Sequence, residues 1–196
     1  MPDAINLHEL ELLLLPAARA AFTAVQQQHP DEHFYAFSLF HEPLWEGIMP
    51  ASNTEEALAR RAEVYQQFES HRQQSLDKLK TILRWSAGDW EYLDPPNTHF
   101  DPVNDWLLKN IIWEWLGDFD EATWKERYAS VIEICRNTLK QLDSEGIFGI
   151  GAARETITLN LMMGDQDRSW LEHARLLNPP AVYQRWLYEL RDARLF

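Results

Sequence analysis

Residues 33–68, HFYAFSLFHEPLWEGIMPASNTEEALARRAEVYQQF, decide the fold. From His33 to Phe40 the chain is apolar or aromatic on both alternating faces, with Tyr35, Phe37 and Leu39 expected on one side and Phe34, Ala36 and Phe40 on the other. A strand greasy on both faces needs cover on both, so it belongs inside a sheet. His41-Glu42-Pro43 reads as a turn, and Trp45 to Ala51 as a second strand whose Pro50 suggests an edge or a strand end. Ser52-Asn53-Thr54-Glu55-Glu56 then marks a helix start. A short polar side chain there accepts an orphan backbone N–H, and the acids complement the helix dipole.

The helix expected from Thr54 places Leu58, Ala62, Tyr65 and Phe68 on one face and runs to about Leu76. Lys80 to Trp85 reads as a third strand ended by a turn at Ser86-Ala87-Gly88-Asp89, and Asp94-Pro95-Pro96-Asn97 as a loop. Toward the N-terminus, residues 6–28 form an amphipathic helix with Leu7, Leu10, Leu14, Ala18, Phe22 and Val25 inward, kinked or restarted at Pro16. Toward the C-terminus, Asp101-Pro102 starts a helix in which Leu107, Leu108, Ile111, Ile112, Trp115 and Leu116 share one side at about 100° per residue. Trp106 and Trp113 fall on the opposite side. A helix from about Phe119 to Asp143 stops at Ser144-Glu145-Gly146, and Glu155 to Met163 alternates like a strand with one wet face. Gly164-Asp165-Gln166-Asp167 turns into a short helix around Trp170 to Ala174, and Asn178-Pro179-Pro180 opens a last helix with Val182, Trp186, Leu187 and Leu190 inward. The order predicts one α+β domain over residues 1–196, a mainly antiparallel sheet of about four to five strands covered by helices, with a helical, acidic, Trp-rich section at about 86–143.

Composition bounds the function. At 196 residues with 45% hydrophobic content the chain is long enough for one real core. Eighteen basic against thirty-one acidic residues give −13, which argues against nucleic acid or an anionic membrane and is read in two ways, as an acidic balance that simply keeps the chain soluble or as the complement of a basic protein partner. The one cysteine, Cys135, excludes an internal disulfide and fits the cytoplasm, and no apolar run suggests a signal or a membrane span.

The patches His33 to Leu39, Ala51 to Leu58, Arg84 to Tyr92, Leu142 to Gly149 and Leu177 to Pro180 resemble, in order, a bacterial family catalogued as a domain of unknown function, number 4303. The resemblance carries over no catalytic motif. It implies company near toxin and secretion loci, where small acidic proteins serve as cognate inhibitors; a housekeeping role fits equally.

The chemistry searched for is weak. The seven histidines include no His-Glu-x-x-His motif and there is no cysteine pair, so no metal and no cofactor are expected. Asp165 and Asp167 lack the glutamate of a cation loop. No nucleophile elbow is present, and the chain reads as a non-enzyme more readily than as an enzyme. Gly146, Gly149 and Gly151 with Arg154 leave open a small-ligand or nucleotide-handling domain. The leading reading is an immunity-type inhibitor that masks a basic toxin or effector with the stretch 86–126, which carries ten acids against two lysines. Its candidate partner-binding residues are Trp90, Asp101, Asp105, Trp106, Trp113, Asp118, Asp120 and Glu121, the rings supplying contact area and the acids capture rate. Two other outcomes stay open: the tryptophans form a second layer of core, or Trp106 and Trp113 meet their own copies in a homodimer.

Overall fold

The computed structural model describes residues 5–41, 47–93, 99–112, 121–163 and 168–193. The Glu42-Pro43 turn, Trp45, the loop at Asp94 to Asn97, Trp113, Trp115, Asp118, Asp120 and the Gly164 to Asp167 turn lie outside them. In chain order the elements are α1 (Leu7–Gln28), β1 (Phe34–His41), β2 (Ile48–Thr54), α2 (Glu55–Gln66), α3 (Leu76–Leu83), β3 (Tyr92–Leu93), α4 (Asp101–Leu107), α5 (Glu121–Ser144), α6 (Ala152–Glu155), β4 (Thr158–Met163), α7 (Ser169–Leu177) and α8 (Pro180–Ala193). The class is α+β. A 3-10 turn at Ala87–Asp89 occupies the turn expected there.

The sheet order is β3-β2-β1-β4, so β1 is interior as its sequence demands. β1 pairs antiparallel with β2, and β2 with β3, but β1 and β4 run parallel with Ser38 opposite Asn160. The sheet is therefore mixed, two of its three pairings antiparallel as expected and one parallel, because the long helical passage between β1 and β4 returns the chain in the same direction. β4 also has no wet face. Thr158, Asn160 and Met162 are as buried as Leu159 and Leu161, and the Asn160 side chain accepts the Leu161 N–H at 2.9 Å.

The two faces of β1 depart from simple alternation at one point. Phe34 pairs with Thr54 and Ala36 with Asn53, which leaves Tyr35 as an extra residue, a β-bulge. Past it Phe34 joins Phe37 and Leu39 on one face, while Tyr35 joins Ala36 and Phe40 on the other. The first face packs under α1, α4 and α5, with Leu10, Leu14, Phe22, Leu139 and Phe148 around Phe37. The second packs under α2, α3, α7 and α8, with Leu58, Leu79, Trp85, Trp90, Trp170 and Trp186.

Thr54, not Ser52 or Asn53, caps α2, its hydroxyl accepting the Ala57 N–H at 2.9 Å. The helix ends at Gln66, and the segment expected as a third strand is helical: Ser75 caps α3 and Leu76, Leu79 and Leu83 recur at helical steps. Pro16 does not break α1, which runs unbroken through its 22 residues. Pro50 sits in β2 one residue before the pairing with β3 begins, where its missing N–H is tolerated. Among the described residues no helix is long and apolar enough to cross a membrane.

Candidate functional site

α4 begins with Asp101 and Pro102 in its first turn, and beyond Leu107 it widens into a π-helical turn, Leu108–Ile112. Val103, Trp106, Leu107 and Ile111 point into the core. Asp101, Asp105 and Leu108, at steps of four and three, share the outward face; Leu108 is 44% exposed. Neither aspartate has an ion-pair partner among the described residues. Trp106 is 5% exposed and its indole N–H donates to Glu9 at 3.1 Å, which holds that α1 carboxylate beside α4.

The sequence-predicted residues are thus divided. Asp101 and Asp105 stand together, and Glu121 is exposed in the first turn of α5, where Lys125 bonds its carboxylate at 2.6 Å and lowers its pKa. Trp90 lies in the core on the other face of the sheet, its indole N–H donating to the Arg84 carbonyl at 3.0 Å. Both described indoles are consumed by the protein's own packing, so Trp106 offers no ring to a partner or to a second copy. Trp113, Asp118 and Asp120 lie outside the described residues.

A dense polar cluster among the described residues includes none of the candidate partner-binding residues. At the entry to β1 the Glu32 carboxylate accepts from Arg60 at 2.9 Å, Thr54 at 2.5 Å and Tyr92 at 2.8 Å. Arg60 also bonds Glu91 and donates to the Tyr92 hydroxyl at 2.8 Å. With the Tyr92 proton committed to Glu32, the His29 ring nitrogen at 3.2 Å must be a donor, which fixes the proton on Nδ1. Next to it the Glu56 carboxylate takes both the backbone N–H and the ring nitrogen of His33, and that hydrogen bond raises the His33 pKa. The hydrogen bonds run between groups of the protein itself, so the cluster reads as a clasp between the α1–β1 connection, α2 and β3. Only partners distant in sequence build it, and no local signal announces it.

Burial pushes the Glu32 carboxyl up, but the hydrogen bonds from Arg60, Thr54 and Tyr92 and the Arg60 charge outweigh it and hold its pKa at about 2, against 4.5 ordinarily. A depressed carboxylate stabilises the fold above its unfolded pKa and loses that contribution as pH falls toward the folded value. Between pH 4.5 and 2 the protein should therefore lose on the order of 1–2 kcal/mol through this group after solvent screening. Glu32→Gln should be less stable at neutral pH and approach the wild type in that window. Parallel urea-unfolding curves for the two proteins from neutral pH down to pH 3 would refute the clasp.

The glycine loop does not make an anion site. Gly146 and Gly149 adopt φ of +79° and +89°, the conformation that ends α5 and turns the chain back. Arg154, 8% exposed, gives its guanidinium to Asp143 and to the carbonyls of Ile157 and Leu177. The open cleft of about 330 Å3 beside Gly146 and Ile147 is otherwise lined by Thr23, Gln26 and Gln27, with no cation. Among the described residues no group of three or more His, Cys, Asp or Glu is placed to hold a metal ion.

A family model described as "Domain of unknown function (DUF4303)" matches residues 14–179. The chain belongs to that family. No curated protein and no solved structure matches it. The DUF4303 match spans all four strands, and the patches that carried the resemblance do structural work: Thr54 caps, Trp85 and Trp90 fill a core, and Gly146 and Gly149 turn the chain. Asn178 shows this best. Its side-chain amide accepts from the Leu159 N–H at 2.8 Å and donates to the Leu159 carbonyl at 2.7 Å, standing in for a missing neighbour on the open edge of β4.

Proposed function

We propose that this DUF4303 chain is a bacterial, cytoplasmic interaction protein, an immunity-type inhibitor that masks a basic toxin or effector surface with the acidic outer face of α4. The observation that supports this reading is the pair of exposed carboxylates, Asp101 and Asp105, neither in an ion pair with a described residue, continued by the exposed Leu108, with the exposed Lys109 at the far edge. Uncompensated surface charge raises the encounter rate with an oppositely charged partner and rejects like-charged ones, while an apolar residue at its edge gives the contact area that charge alone lacks. Contact through Trp90 and Trp106, as the sequence suggested, is replaced by contact through carboxylates and leucine. Inhibition is stoichiometric masking, without chemistry on either partner.

The test is co-purification with the product of the neighbouring gene, followed by titration at low and high salt. Asp101→Lys with Asp105→Lys should leave the thermal midpoint nearly unchanged and weaken binding by about thirtyfold, roughly 2 kcal/mol, chiefly through slower association at low salt. Undiminished affinity in the double variant would remove α4 from the interface.

A further inference from the structure

On the face of the sheet opposite α4, α3 and α8 pack side by side and leave a cleft of about 270 Å3 lined by Thr81, Arg84, Tyr188, Glu189 and Asp192. Its floor is rigid. Glu189 accepts on one oxygen from both Arg84 Nε and Trp85 Nε1, each at 3.0 Å. The other two guanidinium nitrogens of Arg84 bond the Glu55 carboxylate, and the guanidinium lies 4.2 Å over the Tyr35 ring. Two guanidiniums, Arg84 and Arg185, face three carboxylates, Glu55, Glu189 and Asp192, so the cleft keeps one net negative charge.

The second oxygen of Glu189 has spare capacity. Arg185 Nε pairs with it electrostatically at 4.0 Å but donates no hydrogen bond to it, and the other nitrogens of Arg185 donate to the carbonyls of Glu155 and Thr156. Beside it on the same helix Tyr188 is 74% exposed, the most open aromatic residue among the large exposed hydrophobics. A fixed carboxylate oxygen, a second carboxylate and a bare ring along one cleft are the elements that hold a planar cation, by paired N–H bonds and by stacking.

We propose that the α3–α8 cleft receives the guanidinium of an arginine on a partner protein, stacked on Tyr188 and bonded to Glu189 and Asp192. An arginine suits it better than a lysine because a planar fork can stack and bond two acceptors at once. A protein suits it better than a free amino acid because a ring so exposed yields its contact energy only when a larger surface covers it. This site lies across the sheet from Asp101 and Asp105, and the two stand or fall separately.

The experiment titrates Nα-acetyl-arginine amide into the folded full chain and follows the indole N–H signal of Trp85, which reports on Glu189, by two-dimensional NMR. A saturable shift is expected, weakened about three- to tenfold by Asp192→Asn and by Tyr188→Ala, both exposed positions whose thermal midpoints should match the wild type. Loss of the shift in Asp101→Lys with Asp105→Lys is not expected. A shift that is absent, that does not saturate or that survives the Tyr188→Ala, Asp192→Asn pair would overturn the site. Equal binding of the lysine amide would overturn the guanidinium assignment, and tighter binding of uncapped L-arginine would overturn the protein partner.

Discussion

Replacing Arg154 with alanine should cost about 3–4 kcal/mol of stability, read as a lower urea midpoint at unchanged slope. The side chain joins three elements: Asp143 near the end of α5, the Ile157 carbonyl before β4 and the Leu177 carbonyl at the end of α7. Asp143 is partly open and can rehydrate when the guanidinium goes. The two carbonyls cannot do so as readily, because both of these hydrogen bonds are buried, and orphaned buried acceptors carry the main penalty. Arg154→Lys should recover only part of the loss, since one ammonium cannot reach all three acceptors in the geometry a planar fork allows. A cost below about 1 kcal/mol for Arg154→Ala would show that apolar packing alone holds the junction. The same variant separates the ligand reading from the structural one: a ligand-binding arginine would change a metabolite-induced thermal shift without lowering the baseline midpoint.

What the sequence could reveal follows from what is local. The two-sided burial of β1, the hairpin partner β2, the stripe of α5 and the stop at Gly146 are written in periods and caps, and the structure places them accordingly. The bulge at Tyr35 is not, because the extra residue is set by the register with β2 rather than by any preference of Tyr35 itself. Parallel pairing of β4 is equally hidden, since alternation along a strand says which way side chains point and nothing of the neighbour's direction. The α3 signal is local as well, in the Ser75 cap and the Leu76, Leu79, Leu83 spacing, which outweighs the strand reading of Lys80 to Trp85. The Glu32 clasp draws on Arg60 and Tyr92, 28 and 60 residues away, and only the fold brings them together. At the candidate interface the excess of acid was legible as composition, but the rotational phase of α4 was not. An assumed 100° per residue through Leu116 put Leu108 inside and Trp106 outside, whereas the observed helix buries Trp106, exposes Leu108 and departs from α geometry immediately after Leu107.

That phase gives the sharpest test of the α4 face, because neighbouring residues should fail in opposite ways. Trp106→Ala removes a large side chain packed among Val103, Leu107 and the α1 leucines, and should cost about 3–5 kcal/mol of stability. Little of this comes from the bond to Glu9, whose carboxylate sits on an exposed residue and returns to water. Trp106→Phe, which refills most of the volume, should cost roughly 1–2 kcal/mol. For protein that remains folded, measured well below the lowered thermal midpoint, affinity for the partner should stay within about threefold of wild type, since the indole makes no surface. Asp105→Lys, one residue earlier, should do the reverse: stability within about 0.5 kcal/mol, because the side chain is exposed and unpaired among the described residues, and a clear loss of affinity. Measured together, chemical denaturation and partner titration of the two variants form a crossed pair in which a merely destabilised interface and a true contact cannot be confused. Loss of affinity at Trp106 with stability intact would require α4 to turn its indole outward on binding, and would restore the ring as an anchor.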